Sequence, residues 1–161
     1  MTSARLIGIA RHDRPHGPIQ TVDHVGVTCT EGVHGDYRGA LKPGRNRRQV
    51  TVMRAEDWFA AVEEVGLPVE WQERRVNLLV QGLKEWPPEP GQVMRVGAAL
   101  ALRINGECDP CKRMDALVDG LQRALRPGWR GGIIATVIAD GDIALGDDVS
   151  VHVEAMTGSK A

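Results

Sequence analysis

The chain has 161 residues, the size of one ordinary domain, and its 20 Lys and Arg nearly balance its 21 Asp and Glu. A domain of this length buries a core without disulfides or metals, and its near-zero net charge excludes a general binder of polyanions. Three cysteines are an odd number and no secretory signal precedes them, which predicts a reducing, cytoplasmic setting. No apolar run approaches the ~20 residues that a membrane helix needs, so we expect a soluble protein.

Two strands and a glycine loop open the chain. Residues 5–10 are a short aliphatic run bounded by polar residues, and 22–28 alternate apolar with polar or small side chains, so both predict strands. The segment 31–39 then holds three glycines, which reach backbone conformations closed to other residues and let a ligand approach closely. Taken alone, such a loop predicts no more than a turn.

The next loop is basic. Between positions 38 and 48 the chain has no acidic residue and five bases, Arg38, Lys42, Arg45, Arg47 and Arg48. On a neutral domain, a short basic loop suits a small anionic ligand better than nucleic acid, which needs a wider positive face. An ordinary solvated surface loop is the alternative that charge alone leaves open.

A strand at 49–53 leaves the basic loop and leads into a helix. The apolar positions of this helix have the spacing of one face: Trp58, Phe59, Val62 and Val65. Gly66 and Pro68 end the pattern. We expect a core helix whose tryptophan and phenylalanine pack inside rather than stack on a ligand.

Arg75 and Asn77 stand at the start of an apolar strand that runs to Val80. In a strand these two side chains would share one face, while Val76 would point to the other. A guanidinium beside an amide can bind an anionic or heterocyclic ligand, with the arginine taking phosphate oxygens in bidentate fashion. The alternative is an exposed edge-strand arginine and an asparagine that caps a turn.

The stretch most suited to chemistry is 105–114, NGECDPCKRM. Asp109 suits a helix N-cap and Pro110 the first helical position, which predicts Cys111 in the first helical turn. There, backbone N–H groups, the helix dipole and the two bases that follow would favour a thiolate, a better nucleophile and soft-metal ligand than a thiol. A small buried residue that only fills space is the alternative.

Cys108 and Cys111 form a C-x-x-C pair, which has two common uses. A redox dithiol would lie near a βαβ unit that the pattern does not clearly show, and a structural zinc site needs two more suitably spaced ligands. The chain also lacks a P-loop, a dinucleotide fingerprint and an H-E-x-x-H helix. A nucleophilic pair of Cys111 with His34 or His24 stays open, because sequence cannot show their contact in space.

The remaining elements favour a β-rich fold. A second amphipathic helix is predicted from Met114 to Leu125, and further strands at 93–96, 99–104, 133–139, 143–145 and 149–153. The proline-rich 86–91 is predicted to be a loop, and residues 155–161 a frayed tail. Seven or eight short strands with two main helices, without regular alternation, predict one mainly β (α+β) domain over 1–161, closed or nearly closed, with its core at about 7–153.

Several short motifs, taken in their order and spacing, resemble one family. They are Gly32-Val33-His34-Gly35-Asp36, Arg47-Arg48-Gln49-Val50-Thr51, Arg75-Val76-Asn77-Leu78, Pro110-Cys111-Lys112-Arg113-Met114, and Arg130-Gly131-Gly132 with Gly146-Asp147-Asp148-Val149. From about Ile7 to Val153 the chain is similar to the MOSC domain, named after the C-terminal domain of molybdenum cofactor sulfurase. The resemblance implies a β-barrel-like domain.

The resemblance also implies a function. It implies binding of molybdenum cofactor (molybdopterin), with Cys111 ligating molybdenum or carrying sulfur, and a protein partner that donates electrons or sulfur. The implied activities are reduction of N-hydroxylated compounds and sulfur transfer, and pyridoxal phosphate is not expected. The residues implied near the cofactor are Gly35, Asp36, Arg38, Arg48, Arg75, Asn77, Lys112 and Arg113.

The chain departs from the family pattern in two respects. Family members often carry Arg-His after the Gly-Asp pair, where this chain has Tyr37 and Arg38. Larger relatives add domains that help enclose cofactor or pass electrons, so a lone domain is expected to bind cofactor weakly or to need a partner. The rival prediction is a non-catalytic module that binds or carries a small anion or cofactor, with Cys111 structural. A nucleic-acid binder is disfavoured by the charge balance.

Overall fold

A computed structural model describes residues 4–40, 42, 46–84, 86 and 91–153. Three of the sequence predictions fall outside these residues: the basic residue Arg45, most of the proline-rich 86–91 loop, and the tail from residue 155. No helix within the described ranges is long and apolar enough to cross a membrane.

Eleven strands and three α-helices are found in this part of the chain. The strands are β1 Ala4–Arg11, β2 Gln20–Thr21, β3 His24–Thr28, β4 Gly32–Val33, β5 Val50–Arg54, β6 Leu78–Gln81, β7 Gln92–Val96, β8 Leu100–Glu107, β9 Ile133–Ala139, β10 Gly141–Ala144 and β11 Asp148–Val153. The helices are α1 Ala55–Val65, α2 Arg113–Leu117 and α3 Leu121–Ala124. Short 3-10 turns lie at Trp71–Arg74 and Pro127–Trp129.

Seven of the strands close into a barrel. Their order is β11-β7-β8-β9-β5-β6-β1, and β1 pairs back to β11 with Ala4 opposite Val149. The β5–β6 pair is parallel and is connected through α1, whereas the other neighbours are antiparallel. Closure removes the free sheet edges that would otherwise expose unpaired backbone groups. The predicted mainly β, closed domain with helices is confirmed.

The alternation of side chains along the strands divides the apolar residues between two clusters. Leu78 and Val80 of β6 belong to the barrel core, while Leu79 between them packs with the helices. The second sheet, β10-β3-β4, adds Val27 and Ile143 to the barrel core. The helices therefore cover the outside of the barrel next to β5 and β6.

Helix α1 confirms the predicted core helix but not its whole apolar face. Trp58 is buried and donates from its ring nitrogen to the Val69 carbonyl, whereas Phe59 is 58% exposed. The buried face continues from Trp58 through Ala61, and Phe59 lies about 100° around the helix from it. The expected packing of Phe59 is wrong because the buried stripe includes Asp57, Trp58 and Ala61, and Phe59 lies beyond its edge.

The predicted second helix from Met114 to Leu125 is also wrong as a single element. α2 ends at Leu117 and α3 begins at Leu121, with Gly120 between them at φ +92°. A left-handed residue cannot continue an α-helix, so the chain turns there. The apolar positions are still used, since Met114, Leu121 and Leu125 are buried in the outer cluster.

Helix α1 also buries a carboxyl group. Asp57 is 8% exposed, and its Oδ1 accepts a hydrogen bond from Arg54 Nη1 at 3.2 Å. Burial raises the pKa of Asp57 to about 6, against the opposing positive charges of Arg54 and Arg130. The native state therefore binds this proton more tightly than the unfolded chain does.

We predict that Asp57 gives the native state a pH dependence with a definite sign. Its contribution to stability is fully present below the ordinary pKa of 3.8 and is lost as the pH rises through about 6, by about 3 kcal/mol. Asp57→Asn should remove this loss, so the free energy of unfolding of the variant rises relative to wild type between pH 4 and pH 7. Urea unfolding at both pH values measures it, with the exposed Asp119→Asn as control. Parallel pH profiles for wild type and Asp57→Asn would contradict the prediction.

Candidate functional site

A buried histidine lies where β1 ends. His12 follows Arg11 and is 6% exposed. Its backbone N–H donates to Asp36 Oδ1 at 3.0 Å, and its ring Nδ1 is 3.7 Å from the same oxygen. The Tyr37 ring packs against the imidazole with the ring centroids 5.0 Å apart. The glycine loop is therefore joined to the end of β1 through this histidine.

The backbone around Gly35 has little room for a side chain. Gly35 has φ +87°, and a Cβ there would lie 3.1 Å from atoms of the Arg11 side chain. The turn leads to Asp36, which is buried and whose Oδ2 accepts the backbone N–H of Arg38 at 3.3 Å. The two Asp36 oxygens thus receive backbone N–H groups on both sides of the loop, so this carboxylate organises the turn.

Burial and two arginines, Arg75 and Arg38, lower the pKa of His12. The Arg38 guanidinium lies 5.3 Å from the centroid of the Tyr37 ring, and its Nε donates to the Tyr37 hydroxyl at 2.8 Å. Burial lowers the pKa of His12; the charge of Asp36 opposes this shift, and the charges of Arg75 and Arg38 add to it. The predicted residues Asp36, Arg38 and Arg75 are therefore brought together around a histidine that favours its neutral form.

Arg75 has one buried guanidinium nitrogen without a hydrogen-bond partner among the described residues. It ends the Trp71–Arg74 turn at φ +67°, and its Nη1 atom is buried with no hydrogen-bond partner among the described residues. Across the same ranges, no ion pair includes Arg75 or Arg38. A buried donor of this kind costs free energy unless something accepts its hydrogen bond. Arg75 is therefore suited to an anionic group.

Asn77 serves a different purpose from the one its sequence position suggested. The strand begins only at Leu78, and Arg75 lies in a left-handed turn, so the predicted sharing of one strand face by Arg75 and Asn77 is wrong. Asn77 Oδ1 accepts the backbone N–H of Thr51 at 3.0 Å, and Nδ2 donates to the Ala10 carbonyl at 3.2 Å. The buried amide thus joins the ends of β1 and β5 beneath the Arg75 turn.

Cys111 lies in a loop rather than in a helix. β8 extends to Glu107 and α2 begins at Arg113, so the predicted N-cap at Asp109 and helix start at Pro110 are wrong. The predicted position of Cys111 in the first turn is wrong for the same reason. Its side chain is exposed, which also excludes the space-filling alternative. Cys111 is an accessible thiol, whereas Cys108 is buried.

Two contacts connect the region of Cys111 with the region of His12. We call residues 108–112 the cysteine loop, and His12 with Asp36, Tyr37, Arg38 and Arg75 the histidine cluster. Arg113 Nη2 lies 2.9 Å from His16 Nε2, and His16 is on the segment that follows His12. Arg74 Nη2 donates to the Cys108 carbonyl at 2.9 Å, and Arg74 is the immediate neighbour of Arg75. The cysteine loop and the start of α2 are therefore in contact with residues that lie close to His12 and Arg75 in the sequence.

Two of the predicted cofactor-binding residues make no such connection. Arg48 and Lys112 are exposed, and neither side chain forms a hydrogen bond to another residue of the described ranges. The histidines considered as partners of Cys111 lie elsewhere: His34 Nε2 is 3.2 Å from Thr28 Oγ1, and His24 is exposed at the start of β3. No hydrogen bond joins either of them to Cys111 in that part of the chain.

Two clefts lie near the histidine cluster and the cysteine loop. One, of about 240 Å³, is lined by Arg11, His12, Asp13, Pro18, Ile19, Gln20 and Gly35. The other, of about 450 Å³, adjoins the cysteine loop and is lined by Glu107, Asp109, Pro110 and Arg126. Burial raises the pKa of Glu107, and the charge of Asp109 raises it further. Within the described residues, no group of three or more His, Cys, Asp or Glu side chains could hold a metal ion.

Sequence reasoning missed His12 and Arg74. His12 lies in the polar run Arg11-His12-Asp13 directly after the first predicted strand, and this position was the one indication of a role that the sequence offered. Arg74 had no distinguishing signal beside Arg75, because two adjacent arginines give no indication that one of them is buried.

Comparisons with known proteins identify the family and agree with the fold. The MOSC domain family profile matches residues 37–150. The YuaD protein from Bacillus subtilis is structurally similar, with a TM-score of 0.77, 20% identity, and coverage of 95% of this chain and 97% of that one. YiiM from Geobacillus stearothermophilus matches with a TM-score of 0.69, 15% identity and coverage of 96% and 77%. YiiM from Escherichia coli matches with a TM-score of 0.63, 15% identity and coverage of 94% of this chain and 71% of that one. A search of the curated proteins gave no match.

We predict that Asn77→Ala destabilises the fold by about 3 kcal/mol, because it leaves the buried Thr51 N–H and Ala10 carbonyl without partners. The matched control is Asn105→Ala, since Asn105 is only half-buried and its Nδ2 donates to the Arg47 carbonyl and the Thr136 hydroxyl. We expect the control to cost about 1 kcal/mol in urea unfolding. Equal losses in the two variants would contradict the structural role of Asn77.

We predict an order of thiol reactivity in the folded protein. Cys111 should react first because it is exposed, and Cys108 last because it is 1% exposed. Cys29 should fall between them, since it is half-buried and both burial and Asp140 raise the pKa of its thiol. Timed alkylation with iodoacetamide, followed by peptide mass spectrometry, measures the order. Alkylation of Cys108 as fast as Cys111 would show that the loop is arranged differently.

Proposed function

Because the chain belongs to the MOSC domain family, whose members generally bind molybdenum cofactor, we propose that this domain binds that cofactor and reduces N-hydroxylated compounds. The observation that carries the proposal is the buried Nη1 of Arg75 near Arg38 and His12, which has no hydrogen-bond partner among the described residues. A phosphate group is an acceptor that suits a guanidinium.

The charges of the cluster suit an anion. Arg38 and Arg75 are cationic, and the nearby Asp36 carboxylate already accepts two backbone N–H groups. His12 favours its neutral form, so it adds no charge but can still donate or accept one hydrogen bond at each ring nitrogen. In the proposed complex, Arg75 and Arg38 hold the cofactor's phosphate.

Cys111 is the residue of this chain suited to hold the metal. A cysteine sulfur is a soft ligand, and the Cys111 side chain is exposed on a loop joined to the histidine cluster. When bound, the cofactor supplies redox chemistry at molybdenum. Every other contribution in this proposal comes from side chains that bind, orient or donate protons.

Reduction of a hydroxylamine to an amine consumes two electrons and two protons and releases one water. A separate electron-donor protein would supply the electrons, since none of the described side chains stores them. Glu107 is our proposed proton donor, because it lines the cleft beside Pro110 and its raised pKa favours the protonated carboxyl. The same cleft would then receive the substrate.

Sulfur transfer is the second proposed function. A persulfide carrier needs a thiol that another protein can reach, and Cys111 is exposed. In this function the Cys111 thiolate would attack the outer sulfur of a cysteine persulfide on a donor protein, and the donor cysteine would leave as a thiolate. The persulfide formed on Cys111 would pass its outer sulfur to an acceptor nucleophile in the same way, with Arg75 and Arg38 still holding an anion. The rival function, a small-anion carrier in which Cys111 takes no part, becomes a third outcome of the same experiment.

We predict that protein purified from a cofactor-replete host contains molybdenum and pterin, and that two variants lose them in different ways. Arg75→Met should lower bound pterin about tenfold, because it removes the partner of the phosphate. Cys111→Ser should lower bound molybdenum more than bound pterin. Elemental analysis and pterin fluorescence measure both, and the exposed Arg123→Met is the control.

The outcomes separate the three functions. Absence of both molybdenum and pterin from wild type would contradict cofactor binding. Bound cofactor without reduction of N-hydroxylated compounds, together with cyanide-labile sulfur on Cys111, would favour sulfur transfer. Anion binding that Cys111→Ser leaves unchanged, with neither activity present, would leave only the anion-carrier function.

A further inference from the structure

Arg74 is a buried arginine that belongs to none of the functions described so far. It is 5% exposed at the end of the Trp71–Arg74 turn. One nitrogen, Nη2, donates to the carbonyl of Cys108 and to the carbonyl of Gly131, both at 2.9 Å. The same nitrogen lies 3.6 Å from the sulfur of Cys108.

This placement is costly for a charged side chain. Buried arginines are usually paired with a carboxylate, yet no ion pair within the described ranges includes Arg74. Its Nε atom is also buried without a partner in that part of the chain. Two backbone carbonyls therefore take the place of an acid, and both belong to loops at the site.

The loops on either side of Arg74 are packed tightly together. A Cβ on Gly131 would lie 2.5 Å from the Cys108 carbonyl oxygen, 3.0 Å from Arg74 Nη2 and 3.2 Å from Pro110 Cδ. The Cys108 N–H donates to the Gly132 carbonyl at 2.8 Å. Cys108 is thus fixed through both of its backbone groups, three residues before Cys111.

We infer that Arg74 is a positioning residue for the cysteine loop. Its guanidinium clamps the backbone at Cys108 to that at Gly131, and this contact sets where the loop presents Cys111 relative to the Arg75 turn. Because Arg74 and Arg75 are consecutive, the residue that holds the thiol loop and the residue that faces the anion share one turn. The clamp itself rests on geometry alone; its importance for the cofactor rests on the proposed function.

Alkylation of Cys108 reports whether the clamp is closed. Arg74→Met and Gly131→Ala should each raise the alkylation rate of Cys108 in the cofactor-free protein by about tenfold, since local opening then exposes a buried thiol. Arg74→Lys keeps the charge and can donate to both carbonyls, so it should stay within about threefold of wild type. If Arg74→Met does not fold, Gly131→Ala decides the question.

The matched control is Arg54→Met. Arg54 is a largely buried arginine that donates to the Leu83 carbonyl and to Asp57, away from the cysteine loop. The control should leave Cys108 alkylation within about twofold of wild type. An unchanged Cys108 rate in folded Arg74→Met, or the same increase in Arg54→Met as in Arg74→Met, would overturn the clamp.

Cofactor retention tests the positioning role separately. Bound pterin and molybdenum per chain should fall about tenfold in Arg74→Met and recover in Arg74→Lys. Equal cofactor content in wild type and Arg74→Met, despite faster alkylation of Cys108 in the variant, would overturn the positioning role. The proposed function would remain intact. Wild type without cofactor would contradict the proposed function, and the Cys108 rates would still decide the clamp.

Discussion

The site depends on one backbone turn, the left-handed residue Arg75 at φ +67°. A non-glycine residue in this region carries strain on the order of 1 kcal/mol, so the surroundings must hold it in place. Asn77 does so, because its buried amide joins the Ala10 carbonyl to the Thr51 N–H directly below the turn. As a result, the consecutive guanidiniums of Arg74 and Arg75 serve two different loops.

The electrostatics follow from the same turn. The charge of Arg75 acts on His12, beside an Asp36 carboxylate that already accepts two backbone N–H groups. Arg74 donates to the carbonyls of Cys108 and Gly131 and lies 3.6 Å from the Cys108 sulfur. Both arginines have a buried nitrogen without a partner among the described residues. The charges of Arg38 and Arg75 therefore act near His12, whereas Glu107 and Asp109 line the cleft next to the cysteine loop. The side of the site nearer the glycine loop is the one that suits an anionic group.

The sequence predicted the fold class and the core helix because hydrophobic periodicity reports burial directly, as it does for Trp58 and the alternating Leu78, Leu79 and Val80. It failed where one residue changes the backbone. Gly120 splits the second helix and Arg75 delays the strand to Leu78, and neither conformation is encoded by an apolar period. Cys111 and Arg75 were predicted from their local sequence as well as from family motifs, and Asp36 was predicted from a family motif. His12 and Arg74 acquire their positions only from tertiary contacts.

In the proposed complex, Cys111 holds the metal of a cofactor whose phosphate binds to Arg75. X-ray absorption at the molybdenum edge, measured on loaded wild type and on loaded Cys111→Ser, tests this arrangement. We expect the variant, filled at high cofactor concentration, to have one fewer sulfur atom bound to molybdenum than wild type. Identical sulfur coordination in the two loaded proteins would contradict the claim and leave Cys111 as a sulfur carrier or a residue without a cofactor contact.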